Sequence, residues 1–379
     1  MSVRFRRRNA SLPPRAGAHP SRYGGTVDNL SAAPDISPTP LVQARSRGSL
    51  GHLRLNRPAK INALNLEMIA AVRSALARWR DDPAVTAVLI DGAGPRGLCA
   101  GGDIAAVYDG IRGGSGFPDE FWADEYRMNL DIAEYRKPIV ALMHGITFGG
   151  GLGISAHASI RVVTDSSVLA MPETAIGLAP DVGGLHLLAR APGELGTHAA
   201  LTGARLGPGD AIAAGLADLY LDAADLATLP DSLVSALESG GSATTFVHGL
   251  ARPAPAAELW PSQQPWIDDC YAGDDPIAIL ARLRGHDEPE ARAAADVLAA
   301  MSPIAVAVTL RAIRRARTMT LAEVLDQDLT LSVRFAAHHD FPEGIRAQIT
   351  DKDRRPRWNP PTLDLVTPAA VDAFFAPRG

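Results

Sequence analysis

Apolar and polar positions along the chain change period from segment to segment. Leu50-Gly-His-Leu-Arg-Leu55 alternates and predicts a strand. Asn56-Arg-Pro-Ala-Lys60 punctuates it. Leu66, Ile69, Val72, Leu76 and Trp79 then recur at helical spacing, which predicts an amphipathic helix over 65–80. Val85 to Ile90 and Ile139-Val-Ala-Leu-Met143 are short unbroken apolar runs, the signature of strands buried on both faces. Ile160 to Val163 and Ser167 to Ala170 predict further strands. Two glycine-rich turns interrupt this series, Gly92-Ala-Gly-Pro-Arg-Gly97 and Gly149-Gly-Gly-Leu-Gly153. After Gly183 the pattern is mainly helical through 350. Strand–helix alternation followed by helices predicts an α/β fold with a helical appendage.

Residues 1–38 show no apolar period. They carry Arg4, Arg6, Arg7, Arg8, Arg15 and Arg22 before the first acid, Asp28. This predicts a disordered leader, or a mitochondrial transit peptide, which is Arg-rich, Ser-rich and acid-poor. The divisions expected are therefore 1–38 leader, 39–235 α/β core and 236–379 mainly helical region. The proline-rich stretch near 252–266 predicts a lid or a surface loop.

Composition narrows the function. Hydrophobic residues make up 46% and charged residues 21% of 379, with a formal charge of −5, which argues against a general nucleic-acid binder. Cys99 and Cys270 are too few and too far apart for a disulfide framework or a structural zinc site, and they point to a reducing compartment. No apolar run has the roughly 18–20 residues of a membrane helix.

Three segments carry candidate chemistry. Cys99-Ala-Gly-Gly-Asp103 precedes a helix starting at Ile104, and backbone N–H groups at such a turn can hold a carbonyl oxygen, although a tight turn alone would look the same. His144-Gly-Ile-Thr-Phe-Gly-Gly-Gly-Leu-Gly153 follows a buried strand, and its glycines would equally serve close packing. Together the two turns can offer one N–H each to a single oxygen, which makes an oxyanion hole. Met171-Pro-Glu-Thr-Ala-Ile-Gly-Leu-Ala-Pro-Asp-Val-Gly-Gly184 places Glu173 and Asp181 among apolar neighbours. A carboxylate so placed acts as base or nucleophile; otherwise Glu173 caps one helix and Asp181 starts the next.

Over residues 40–375 the chain resembles the crotonase (enoyl-CoA hydratase/isomerase) superfamily. The resemblance rests on Asn56-Arg-Pro with Asn62-Ala-Leu64, on Cys99–Asp103, on Gly149–Gly151 and on Pro172-Glu173. Asp124-Glu-Tyr126, His144–Thr147, Met171–Gly184, His339-Asp-Phe-Pro-Glu-Gly344 and Asp351-Lys-Asp353 with Trp358-Asn-Pro360 are most similar to the 3-hydroxyisobutyryl-CoA hydrolases within it. This implies a ββα spiral core with a helical C-terminal region that completes an acyl-CoA site. It implies an oxyanion hole from Gly102 and Gly150, a substrate-site carboxylate at Glu125, and catalytic carboxylates at Glu173 and Asp181. The implied reaction is hydrolysis of 3-hydroxyisobutyryl-CoA, with 3-hydroxypropionyl-CoA as a second substrate, in valine breakdown. No cofactor and no metal are expected, CoA being part of the substrate. No nucleic acid or membrane is an expected partner; the resemblance implies a homo-oligomer, often a trimer. The compartment implied is the cytoplasm, or the mitochondrial matrix if the leader is a transit peptide.

The alternative is hydration or isomerisation of an enoyl-CoA. Hydratases of the superfamily use two glutamates, the first three residues after the oxyanion glycine. That position here is Gly153, which has no side chain; Asp181 stands where hydratases carry a small residue. One acid is absent and another gained, which favours the hydrolase. Asp181 is then expected to bond the substrate's 3-hydroxyl or position water. His144 is expected to be structural, Cys99 to be no nucleophile, and the adjacent His338 and His339 to hold no metal. Arg57, Lys60 and Lys352 are either CoA-phosphate ligands or solvated charges.

Overall fold

The alternating stretch Leu50–Leu55 is a strand (β2) that pairs antiparallel with Val42–Arg47 (β1), register Val42↔Leu55 through Arg47↔Leu50. The computed structural model describes residues 35–378, so the expected leader lies almost entirely outside the described residues. Four more strands join β2 in parallel: Ala87–Gly92 (β3), Ile139–Leu142 (β4), Ile160–Val163 (β6) and Leu219–Tyr220 (β8). The sheet order is β1-β2-β3-β4-β6-β8. Ile146–Phe148 (β5) and Val168–Ala170 (β7) form a second, two-stranded parallel sheet. The chain therefore passes from one sheet to the other and back, which is the expected ββα spiral.

The strands are legible because of where they lie. β3 and β4 have apolar groups packed on both faces, so their sequences are continuous rather than alternating. Val88 and Ile90 face a cluster with Ile69, Val72, Leu76 and Trp79 of the helix Leu66–Asp81 (α1). Leu89, Val140 and Val162 face the opposite cluster, with Leu229, Leu233 and Val247. Asn65 caps α1 by accepting from Met68 N–H at 2.9 Å.

Two helices follow β3: Ile104–Arg112 (α2) and Phe117–Ala133 (α3). A short helix, Gly150–Ser155 (α4), follows β5. From Gly184 on, helices predominate, though β8 still returns to the sheet. The helix Leu321–Ala336, opened by a Thr320–Glu323 capping box, packs against α3. Asp340–Ile345 and a π-turn Arg346–Thr350 follow.

This C-terminal region meets the core backbone to backbone. A β-carbon on Gly177 (φ +74°) would lie 2.5 Å from the Asp340 carbonyl, and one on Gly344 would lie 2.3 Å from the Ile176 carbonyl oxygen. Asp340 is buried and accepts from Ser302 Oγ at 2.6 Å and Asn359 N–H at 2.7 Å. Arg346 spans Glu343, Asp351 and Asp353, which fastens the π-turn. The 252–266 stretch is a loop as far as Gln263, tied down by Asp210, whose carboxylate accepts from the N–H groups of Glu258, Leu259 and Trp260; from Gln264 it is the start of the helix Gln264–Tyr271.

Candidate active site

The first glycine turn is stitched to β5. Cys99 N–H donates to Ile146 O at 3.2 Å and Phe148 N–H to Cys99 O at 3.0 Å. Leu64 N–H donates to Gly101 O at 2.9 Å, and Asp103 N–H to Leu64 O at 2.7 Å. These bonds fix the chain on both sides of Gly102. The second turn bends at Gly149 (φ +48°, ψ −119°), a conformation only glycine adopts easily, and Gly150 then opens α4. The two turns meet: a β-carbon on Gly150 would lie 3.1 Å from Gly102 N. Among the described residues neither amide has a recorded hydrogen-bond acceptor.

Both glycines line a cavity of about 290 Å³, open to solvent, with apolar walls from Ile104, Phe121, Trp122, Leu178 and Ile349. Glu125, Glu173 and Asp181 line the same cavity and are all buried. Glu125 comes from α3, and its Oε1 would meet a β-carbon on Gly150 at 2.4 Å. Glu173 heads the 3₁₀ turn Glu173–Ile176, and its Oε1 would meet a β-carbon on Gly149 at 2.6 Å. Glu125 Oε1 and Glu173 Oε2 are buried and have no hydrogen-bond partner among the described residues. Asp181 precedes the helix Gly184–Leu188 by three residues and does not start it. Its Oδ2 accepts from Tyr126 Oη at 2.7 Å.

Burial pushes all three carboxyls up, and the charge of Asp181 raises Glu125 and Glu173 further. Glu125 and Glu173 end well above the ordinary glutamate range. Asp181 reaches about 6, restrained by the Tyr126 hydrogen bond.

Other residues fall elsewhere. Cys99 is buried, its Sγ 3.3 Å from Asn62 O, and burial pushes its thiol up to about 12. Iodoacetamide at neutral pH is accordingly expected to leave activity intact; inactivation that tracks alkylation of Cys99 would refute this. His144 Nε2 lies 3.1 Å from Gly94 O, a contact between two turns. Arg57 is taken up by Asp103, Nη1 to Oδ2 2.7 Å, while Lys60 and Lys352 are exposed. His339 Nε2 bonds Arg357 O at 2.8 Å, which holds the C-terminal segment, and His338 Nδ1 accepts from Asp340 N–H two residues on. The 252–266 loop does not line the cavity. Asp269, Cys270 and His286 have ligand atoms within 4.8 Å of one another, also away from it.

Sequence reasoning passed over Asn129, one turn beyond Glu125 on α3. It is fully buried, and neither amide atom has a partner among the described residues. Its Nδ2 would lie 2.7 Å from a β-carbon on Gly153, and Val182 Cβ would lie 2.8 Å from it. Its i+4 spacing from Glu125 was the available signal.

The model of the enoyl-CoA hydratase/isomerase family matches residues 50–375. The chain belongs to the enoyl-CoA hydratase/isomerase family. Relatives in this family include the mitochondrial 3-hydroxyisobutyryl-CoA hydrolase of Xenopus tropicalis, 37% identical over 337 residues, 88% of each chain. The human protein of that name is 36% identical over 343 residues, 89% of each chain. Among solved structures, a carnitinyl-CoA dehydratase from Mycobacterium thermoresistibile is 45% identical, with TM-score 0.83, over 90% of this chain and 97% of that one. An enoyl-CoA hydratase from Rhodobacter sphaeroides is also 45% identical, with TM-score 0.81, over 89% and 97%. The names in this family therefore divide between hydrolase and hydratase chemistry, and the residues around Gly153 bear on which applies.

Proposed function

We propose that the chain hydrolyses the thioester of 3-hydroxyisobutyryl-CoA, with 3-hydroxypropionyl-CoA as a second substrate, releasing CoA and the free acid in valine breakdown. The observation that carries this is the filled space at Gly153. The hydratase pattern needs an acid there, and Asn129 and Val182 leave room for no side chain. Meanwhile Glu125, Glu173 and Asp181 line one cavity with two unengaged amides.

In this reading the thioester carbonyl accepts from Gly102 and Gly150 N–H, which stabilise the oxyanion as the carbonyl carbon becomes tetrahedral. Glu173, beside Gly149, supplies the oxygen attack, either directly to give a mixed anhydride or by taking a proton from water. The C–S bond then breaks and CoA leaves as thiolate. Single turnover in H₂¹⁸O bears on the routes: label in Glu173 identifies the anhydride, opened by water at the enzyme carboxyl, whereas the base route puts label in the product acid alone. Asp181 accepts from the substrate's 3-hydroxyl, and Glu125 borders the acyl end. A site that bonds a hydroxyl rejects analogues lacking it strongly.

Thiol release from 3-hydroxyisobutyryl-CoA, measured beside crotonyl-CoA hydration, tests the proposal. Rapid release without hydration is the expected result; hydration without release would overturn it. The reducing compartment suggested by the cysteine content is met by the cytoplasm and by the mitochondrial matrix, and the relatives' names carry the word mitochondrial.

A further inference from the structure

Asp181 stands on a strained loop. Val182, a β-branched residue, has φ +52°, and Gly183 follows at φ +72°. Left-handed backbone at a β-branched residue persists only where the surroundings impose it. Here two side chains from distant elements do so. His157 Nε2 donates to Val182 O at 2.7 Å. Gly183 N–H donates to Asp328 Oδ2 at 2.9 Å, and Asp328 is buried in the helix Leu321–Ala336. A substitution at Gly183 is strained by its φ of +72°, and a β-carbon there would fall 2.6 Å from Leu321 Cδ1 and 2.9 Å from His157 Nε2.

The Asp181 side chain is held separately. Tyr126, from α3, donates to its Oδ2, and Ser332 Oγ lies 2.8 Å from the same tyrosine oxygen. With the tyrosine proton directed at the carboxylate, Ser332 donates to the tyrosine, and each bond strengthens the other. All three groups are buried.

We propose that Tyr126 is a positioning residue: backed by Ser332, its hydroxyl aims the Asp181 carboxylate into the cavity and favours its charged form, while Asp328 pins the loop beneath. This rests on the role given to Asp181 in the hydrolase reading. Burial opposes the ionisation of Asp181, and its charge in turn raises the neighbouring carboxyls of Glu125, Glu173 and Asp328. His157, which burial keeps neutral with a pKa lowered to about 4, offers no compensating charge. The tyrosine hydrogen bond is the side-chain contact that favours the anion.

The test compares wild type with Tyr126→Phe by the pH profile of kcat/KM for 3-hydroxyisobutyryl-CoA and by ¹³C NMR titration of labelled Asp carboxyls. Asp181→Asn assigns the Asp181 resonance. In Tyr126→Phe the Asp181 midpoint is expected to move up by about one pH unit, and the acid limb of the profile to move with it. Activity then falls about tenfold on that limb, and most of the loss is recovered by pH 9. An unmoved midpoint, or an equal loss at every pH, would overturn the proposal. Ser332→Ala keeps the tyrosine and gives a smaller shift in the same direction, so it carries the test if Tyr126→Phe does not fold. If wild type releases no thiol from any acyl-CoA, the hydrolase reading fails, while the NMR midpoint still reports on Tyr126.

Discussion

Glu173→Gln is expected to slow thiol release from 3-hydroxyisobutyryl-CoA by about 10²–10⁴-fold, the range associated with a positioned base. Gln keeps the shape and removes both the proton acceptor and the nucleophilic oxygen. Glu173 Oε2 has no partner, so little else in the structure depends on its charge. The same substitution is expected to stabilise the fold at neutral pH. The Glu173 carboxyl is raised in the folded protein by burial and then by Asp181. An unfolded glutamate ionises near pH 4–5. Above that range the unfolded state binds fewer protons than the folded one, so stability falls as pH rises until the folded carboxyl also ionises. Glu173→Gln removes this penalty, and its melting temperature should exceed that of wild type at pH 8, with the gap closing towards pH 4. Near-normal turnover, or a lower melting temperature at pH 8, would refute the assignment.

Gly153→Glu is the second large effect. It restores the acid that the hydratase pattern requires, yet it is expected to give no crotonyl-CoA hydration and to lose thioester hydrolysis. A β-carbon there falls inside contact distance of Asn129 and Val182. Overpacking of this kind costs about 1–3 kcal/mol. The displaced neighbours matter more than the cost: Val182 adjoins Asp181, and Asn129 lies one helical turn from Glu125. A lowered melting temperature together with loss of thiol release is the expected pair of results. A variant that melts like wild type and hydrates crotonyl-CoA would show that position 153 does not separate the two chemistries.

What the sequence discloses follows from local physics. β2 is legible because one residue in two or three is apolar and nothing interrupts it. The buried strands β3 and β4 are legible as unbroken apolar runs. α3 is not legible as a helix, because Glu125 and Asn129 occupy core-facing positions and break the apolar period. β5, at three residues between glycine-bearing turns, and β8, at two, are too short for any periodicity. Gly102, Gly150, Glu125, Glu173 and Asp181 were nameable because local motifs carry them. Tyr126 lay inside such a motif, but its role depends on Asp181, 55 positions away, and on Ser332, 206 away. Asp328 bonds a backbone N–H 145 positions distant. Pairings of that kind are settled by the fold, and one sequence holds no trace of them.

The cavity wall also has an order in time. Gly102, Gly150, Glu173 and Asp181 all lie in the first half of the sequence, whereas Gln348 and Ile349, which line the same cavity, are made much later. On the ribosome, these amides and carboxylates emerge long before the last residues that line the cavity with them. The lining of the cavity is therefore complete only after Ile349 has been made and the C-terminal region has folded back against Gly177.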